Sequence, residues 1–222
     1  MKTIAIASPA GGVGKTTLAH AISVAAAEFG KKTLLIDLDP AGALTFRLGF
    51  ENPRVSVADF FNGLKANDSN IETTSERFDF IPADSRLTSL SPADALSNLI
   101  SNLPKEYDIV LLDLPASLSQ PFALALSVSD LLLVPVRNNV HSLRGYLQVK
   151  SAAGIVPVSA VAIGPNTLIS SAELLDEEIS ESTEIEIAAA AKVSILTSAK
   201  SGDVAESYRS AGYSILEKLG LE

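Results

Sequence analysis

A glycine-rich segment carries the strongest chemical signal in the sequence. Residues 9–17 read Pro-Ala-Gly-Gly-Val-Gly-Lys-Thr-Thr, between a short apolar run and a helical pattern. Gly-Lys-Thr in this setting is the core of a phosphate-binding loop, since glycines let the backbone wrap around an anion and the helix adds its positive dipole end. Pro9 stands where the usual pattern has a glycine, so the alternative is a turn that only links strand to helix.

The residue types in this loop predict how phosphates and a metal ion are held. We expect Lys15 to place its charge on the β and γ phosphates and the hydroxyl of Thr16 to ligate Mg²⁺. The cofactor-binding residues expected within the loop itself are Gly11, Gly12, Val13, Gly14, Lys15 and Thr16.

Acidic residues follow two apolar runs. Asp113 ends the run Ile-Val-Leu-Leu-Asp and suits a carboxylate that holds Mg²⁺ through water, or alternatively one that caps a turn. Asp37 and Asp39 lie in Leu-Leu-Ile-Asp-Leu-Asp-Pro-Ala-Gly, where a carboxylate can orient an attacking water or reach the metal. The alternative for this pair is ordinary turn chemistry before Pro40 and Gly42.

Short apolar runs alternate with longer helical patterns along the whole chain. This alternation predicts an α/β fold, a single domain over residues 1–222 with a mostly parallel twisted sheet and helices on both faces. Ligands bind at the carboxyl ends of the strands in such sheets. The predicted strands are 3–7, 33–37, 78–81, 108–113, 130–136, 158–163 and 193–196, and the predicted helices are 16–29, 57–64, 92–103, 118–128, 141–153, 171–182 and 202–211.

Composition excludes several classes of site. The 222 residues include no cysteine, which removes disulfide scaffolds, iron–sulfur clusters and thiol catalysis, and the two histidines are far apart in sequence. No apolar run approaches the roughly 18 residues that span a bilayer, and no signal peptide precedes the first strand, so we expect a cytoplasmic protein. The net charge of −9 opposes binding to DNA or anionic lipid over the surface as a whole.

Three segments together resemble the ParA/MinD family of deviant-Walker ATPases. They are Gly-Gly-Val-Gly-Lys-Thr-Thr-Leu-Ala (11–19), Leu-Leu-Ile-Asp-Leu-Asp-Pro-Ala-Gly (34–42) and Ile-Val-Leu-Leu-Asp-Leu-Pro-Ala-Ser (109–117), and the similarity extends to residues 200–215. The resemblance implies a P-loop NTPase that binds ATP and Mg²⁺, forms a homodimer with nucleotides at the interface, and hydrolyses slowly when an adaptor protein stimulates it. Members position plasmids, chromosomes, division sites or protein organelles.

The resemblance also assigns roles to individual residues. Lys15 matches the Walker lysine and Thr16 the metal ligand, while Thr17 would contact the α-phosphate. Asp39 matches the residue that orients the hydrolytic water, and Asp113 matches the Walker B carboxylate. Asp37 is kept as a third candidate ligand of the metal.

One position departs from the family pattern. The family's first loop lysine, which reaches the partner's phosphates, is replaced by Ala10, as in the McdA subgroup that distributes carboxysomes. Lys150 is our preferred substitute, with Arg137 and Arg144 as the other candidates. The alternative for Lys150 is a solvated lysine near the end of a helix. Ala41 is a further departure, because many ParA relatives have glutamine there.

Other predictions concern the nucleoside and the surface. Asn166 is expected to offer an amide to adenine, or else is an ordinary loop residue. The residues after 213 lack the basic face of a membrane anchor, so no membrane binding is expected. Late basic residues form a candidate surface for non-specific DNA, or are scattered solubilising charges: Lys192, Lys200, Arg209 and Lys218. The acidic run between 173 and 186 is a solvated face, or a docking surface for a basic adaptor.

Three functions compete at this point. The first is a nucleoid-associated positioning ATPase with a ParB-like or McdB-like adaptor, and the second is a metabolic P-loop ligase of similar fold. The third is a nucleotide switch with negligible turnover, which the absence of the first loop lysine keeps open.

Overall fold

A twisted sheet forms the centre of the molecule. The computed structural model describes residues 1–88 and 91–222. In that part of the chain the sheet has seven strands in the order β3-β4-β2-β5-β1-β6-β7, and all neighbours are parallel except the β3–β4 pair. The strands are β1 (Lys2–Ile6), β2 (Thr33–Asp37), β3 (Glu72–Thr73), β4 (Asp79–Ile81), β5 (Ile109–Asp113), β6 (Leu131–Val136) and β7 (Val158–Ala162).

Helices connect the strands and cover both faces of the sheet. They are α1 (Lys15–Glu28), α2 (Ala43–Arg47), α3 (Val57–Phe61), α4 (Ala95–Ser101), α5 (Gln120–Leu126), α6 (Val140–Ala152), α7 (Glu184–Ala190), α8 (Ile195–Ser198) and α9 (Asp203–Lys218), with a 3₁₀ turn at Ser85–Thr88. The predicted α/β fold with a mostly parallel sheet is therefore confirmed.

Burial on both faces explains the apolar strand sequences. Every residue of β5 and β6 is buried, which is why both read as nearly continuous apolar runs. Alternate side chains of the strands enter two separate cores. Leu112 and Val134 belong to the core that includes α3, α4 and α6, whereas Leu111 and Leu133 belong to the core beneath α1 and α9.

Two predicted elements are wrong. Residues 193–196 do not form a strand: Lys192 has a positive φ of 58°, which ends α7, and the Ser194 hydroxyl accepts from the Leu196 N–H and caps α8. Residues 171–182 do not form a helix, because Leu174 and Ile179 make isolated parallel bridges to Ala160 and Ile163 at the open edge of β7. Pairing at this edge satisfies backbone groups that a helix would satisfy internally.

Other boundaries shift by a few residues. α9 continues to Lys218 rather than ending at 211, and α3 ends at Phe61, shortly before Gly63 with φ of 98°. No helix in the described ranges has the length and apolar character needed to cross a membrane.

Candidate functional site

The candidate site lies where three central strands end. In the sheet register Asp113 is paired with Ile6 on one side and with Asp37 on the other. β1 therefore delivers the glycine-rich loop to the same edge at which β2 and β5 deliver their carboxylates. This placement matches the usual ligand-binding edge of a parallel α/β sheet.

The loop's backbone conformation requires glycine. Gly12 and Gly14 have φ values of 70° and 100°, which side-chain-bearing residues rarely adopt, and Gly14 directly precedes α1. The Lys15 side chain is buried and its Nζ donates to the carbonyl oxygen of Ala10 at 3.3 Å. Burial lowers the pKa of Lys15, and the charges of Asp113 and Asp39 oppose this effect. The lysine thus lies within the loop, close to the acidic residues.

Asp113 offers a metal an oxygen atom that has no other partner. Its side chain is buried and interacts with the Thr16 hydroxyl, yet its Oδ1 has no hydrogen-bond partner among the described residues. Burial raises the pKa of Asp113 well above its ordinary value, and the nearby Asp37 carboxylate raises it further. A divalent cation or its water would satisfy this orphaned oxygen, so the donors present fit Mg²⁺.

Asp37 is committed to holding its own loop. Its Oδ2 accepts from the Thr45 N–H at 3.0 Å and from the Thr45 hydroxyl at 2.7 Å, and its Oδ1 accepts from the Asp39 N–H at 2.9 Å. Burial raises the pKa of Asp37 to about 6 against these hydrogen bonds. Asp39 is half-buried beside it, and its Oδ1 accepts from the Ala41 N–H at 2.9 Å. Asp37 thereby orients the segment that carries Asp39.

Ala10 is a packing position. It is buried, and α6 approaches it through Gly145, where an added Cβ would lie 3.2 Å from the Ala10 Cβ and 3.2 Å from the Ser8 Oγ. The Ala10 N–H also donates to the Ser8 Oγ at 3.2 Å. The glycine-rich loop and α6 are therefore in direct contact.

The three candidate substitutes for the missing loop lysine differ in their partners. Lys150, in the last turn of α6, is paired with Glu173, and Arg137 is paired with Glu181. Arg144 is exposed, and its guanidinium has no partner within the described ranges. It also adjoins Gly145, the residue that packs on the loop.

Asn166 has an unused amide donor. Its Oδ1 accepts from the N–H groups of Leu168 at 3.0 Å and Ile169 at 3.2 Å, while its Nδ2 is buried without a partner in the described part of the chain. The next residue, Thr167, bonds to the side chain of Asn138. The unpaired Nδ2 matches the ring-nitrogen acceptors of a nucleobase.

Sequence reasoning missed two residues that contact α1, the helix that follows the glycine-rich loop. Arg47 reaches α1 from α2 and donates from Nη1 to the Thr17 Oγ1 at 2.7 Å. Glu76 lies within 2.5 Å of His20 on α1, and its carboxylate also accepts from the Ser194 N–H at 2.9 Å. Neither residue lies in a motif. A histidine within an otherwise apolar helix, such as His20, is a sequence signal that could have indicated a buried partner.

Carboxylates neutralise half of the predicted basic surface. Lys192 pairs with Glu51 at 2.6 Å, and Arg209 pairs with Glu28 at 2.7 Å. Arg209 also donates to the carbonyl oxygen of Lys200, so these two residues are neighbours. Lys218 ends α9, about two and a half helical turns after Arg209.

Comparison with known proteins identifies the family. A family model described as "AAA domain" (AAA_31) matches residues 1–156. The sporulation initiation inhibitor protein Soj of Bacillus subtilis (strain 168) is 31% identical over 168 residues, which cover 70% of this chain and 66% of that protein. The chain thus spans slightly less than two thirds of the length of this relative.

Solved structures share the fold over almost the whole chain. A plasmid partition protein from Borrelia burgdorferi B31 bound to AMPPNP has a TM-score of 0.83 at 22% identity, covering 98% of this chain and 99% of that one. Apo McdA from Cyanthece has a TM-score of 0.78 at 20% identity, covering 97% and 99%. The chain, with its glycine-rich loop and strand-end carboxylates at one edge of this sheet, belongs to the AAA_31 family and, within it, to the ParA/MinD group of P-loop proteins.

Proposed function

We propose that this protein is a ParA-type ATPase that binds Mg·ATP, hydrolyses it slowly and positions an intracellular cargo on the nucleoid. The observation that carries the proposal is the buried Asp113, whose Oδ1 has no partner in the described chain and whose neighbours are Thr16 and Lys15. Such a group is costly to leave unpaired unless a ligand completes it.

In this proposal each loop residue has one task. The amides of the loop from Gly11 to Thr16 hold the phosphates, and Lys15 moves from the Ala10 carbonyl to the β and γ phosphates. Thr16 and Asp113 would hold Mg²⁺, which would supply positive charge to offset the charge that develops on the phosphates. Asp39 orients the attacking water, and the hydrogen bonds from Asp37 hold the Asp39 segment in place.

The binding steps can be tested by calorimetry with Mg²⁺ and ATP. Lys15→Ala is expected to lose most of the ATP affinity, because it removes the charge nearest the phosphates, while Lys65→Ala, an exposed lysine elsewhere, serves as the control. Asp39→Ala is expected to keep nucleotide affinity and lose turnover in a phosphate-release assay. Unchanged affinity in Lys15→Ala would remove the site assignment, and normal turnover in Asp39→Ala would remove the role in orienting water.

Exposed apolar side chains on α6, the helix that packs on the loop, support ATP-dependent dimerisation. Val140 and Leu147 lie two turns apart on one face of α6 and are 67% and 52% exposed. The same helix contacts the loop through Gly145. A second copy of the chain would cover these residues when nucleotide is bound. Sedimentation with ATP and with ADP tests this, and a monomer at micromolar concentration with ATP contradicts it.

Lys150 is the proposed cation that replaces the missing loop lysine across the dimer interface. Its pairing with Glu173 must open for Lys150 to reach a partner's phosphates. Glu173→Gln is therefore expected to raise the ATPase rate and Lys150→Ala to lower it. The matched rival is Arg144→Ala, which removes the cation of the same helix that has no partner in the described part of the chain. If only Arg144→Ala lowers the rate, the role passes to Arg144.

DNA and an adaptor are the proposed macromolecular partners. Non-specific DNA binding is assigned to the late basic residues, with Lys200 and Lys218 carrying more than the carboxylate-paired Lys192 and Arg209. Binding through phosphates weakens steeply with salt. Co-sedimentation with DNA in ATP and ADP over a salt series, with and without Lys200→Ala, tests it. A McdB-like or ParB-like adaptor remains the proposed activator, with plasmid, chromosome or carboxysome as cargo.

A further inference from the structure

A side chain from outside the glycine-rich loop reaches its first helical turn. Arg47 is the last residue of α2, and its Nη1 donates to the Thr17 Oγ1 at 2.7 Å. Thr17 follows Lys15 by two residues in the first turn of α1. Helix α2, which follows β2 and Asp39 in the chain, thus places a positive charge against the first turn of α1.

This guanidinium is half-buried, and residues 1–88 and 91–222 offer it no anionic partner. In the described ranges its hydrogen-bond partner is the neutral Thr17 hydroxyl, and no carboxylate forms an ion pair with it. Burial lowers the pKa of Arg47, against the effects of Tyr208 and Asp113. A partly desolvated cation without a counter-charge is costly, and the planar N–H groups of arginine suit phosphate oxygens in particular.

We infer that Arg47 binds the α-phosphate of the nucleotide, together with Thr17. This inference rests on the proposed function, which places Thr17 at that phosphate. The α-phosphate is common to ATP and ADP, so Arg47 contributes equally to the affinity for both and leaves the hydrolysis step unchanged. The same contact joins α2, which follows Asp39 in the chain, to the bound phosphates.

Calorimetric titration with Mg·ADP and with Mg·ATP tests the assignment. Arg47→Gln is expected to weaken both ligands by the same factor, about 10- to 100-fold, as for loss of a hydrogen-bonded charge. Arg54→Gln, at an exposed arginine of the same region, is the matched control and should leave both affinities unchanged. Unchanged affinities in Arg47→Gln, or a loss confined to ATP, would overturn the inference.

A second probe separates phosphate contact from a purely structural tie between α2 and α1. ATP with sulfur at the α-phosphate exists as two diastereomers, and the wild-type protein should prefer one because sulfur accepts hydrogen bonds poorly. Arg47→Gln should lose that preference while its melting temperature without nucleotide stays unchanged. A lower melting temperature with the preference intact supports the structural tie and overturns the inference.

Failure of this inference can be distinguished from failure of the proposed function. If Lys15→Ala loses ATP affinity and Arg47→Gln does not, only the role of Arg47 falls. If Lys15→Ala also retains full affinity, the nucleotide site itself is refuted.

Arg47→Lys, which keeps the charge and the aliphatic stem, provides the same comparison if Arg47→Gln does not fold. It is expected to lose a smaller factor, about 3- to 10-fold, and unchanged affinity counts against the contact.

Discussion

The contact between α1 and α9 depends on a glycine that has no room for a methyl group. Gly212 lies in the middle of α9, and an added Cβ would be 2.7 Å from the Cβ of Ala25 on α1. Carbon atoms make favourable contacts at about 3.5–4.0 Å, so the two helices would have to separate by roughly 1 Å. Ala25 has no rotamer through which it could move away.

The magnitude of Gly212→Ala follows from two opposing effects. Alanine gains about 1 kcal/mol of helix propensity over glycine, while overpacking a well-filled core costs about 1–3 kcal/mol. We expect a net loss of up to about 2 kcal/mol, which lowers the melting temperature by up to about 4–8 °C for a chain of this size. Urea unfolding at equilibrium gives the free energy, and Ser214→Ala on the same helix controls for propensity alone.

A compensating substitution makes this prediction sharp. Ala25→Gly alone should destabilise the protein, since it removes a buried methyl and adds a flexible residue to α1. In the double variant the methyl group has only changed helices, so its stability should return near that of the wild type. The coupling free energy is then expected to reach about 2 kcal/mol or more. Additive single effects would refute the reasoning from the 2.7 Å approach.

Three further predictions concern the site and its support. Gly145→Ala should weaken ATP binding several-fold by calorimetry, because its Cβ would press on the glycine-rich loop; full affinity would contradict this. Glu76→Ala should cost about 1–3 kcal/mol in urea unfolding, since it leaves the buried His20 Nε2 and the Ser194 N–H without their partner, and a loss under about 0.5 kcal/mol would count against it. Although burial favours the protonated form, hydrogen bonds from Arg86 lower the pKa of Asp84 to about 2. Stability that this carboxylate contributes above about pH 4 should therefore fall as the pH approaches 2, and Arg86→Gln should flatten that loss in acid titrations followed by circular dichroism.

The sequence was most informative where burial and backbone conformation constrain residue type. The fully buried β5 and β6 had to be apolar runs, and the loop around Gly12 and Gly14 had to contain glycine, so the sheet and the loop were predictable. One of the two wrongly predicted elements lies at the sheet edge. The segment around Ile179 contains acidic residues at helical spacing, but the exposed edge of β7 pairs with it instead. Local propensity carries no information about a pairing partner elsewhere in the chain.

Within the candidate site, only the residues that belong to a sequence motif were predictable. Asp113 and Thr16 follow the strand-end and loop patterns, and the structure places them in contact. Arg47 and Glu76 contact α1 from segments without a motif, and their contacts depend on how α2 and the segment before β4 pack. Such contacts are set by tertiary geometry, which spacing along the chain does not encode.

The hydrogen bonds of Asp37 bear on how much ordering a ligand must bring about. Because Thr45 and Asp39 are already fastened to this carboxylate, the segment after β2 has little conformational entropy left to lose when nucleotide arrives. In the proposed function, a segment that is already ordered favours fast association with nucleotide. The difference between the triphosphate and diphosphate states then does not depend on folding of this segment. In the proposed function, that difference depends on small displacements of a rigid loop, which the proposed adaptor would sense.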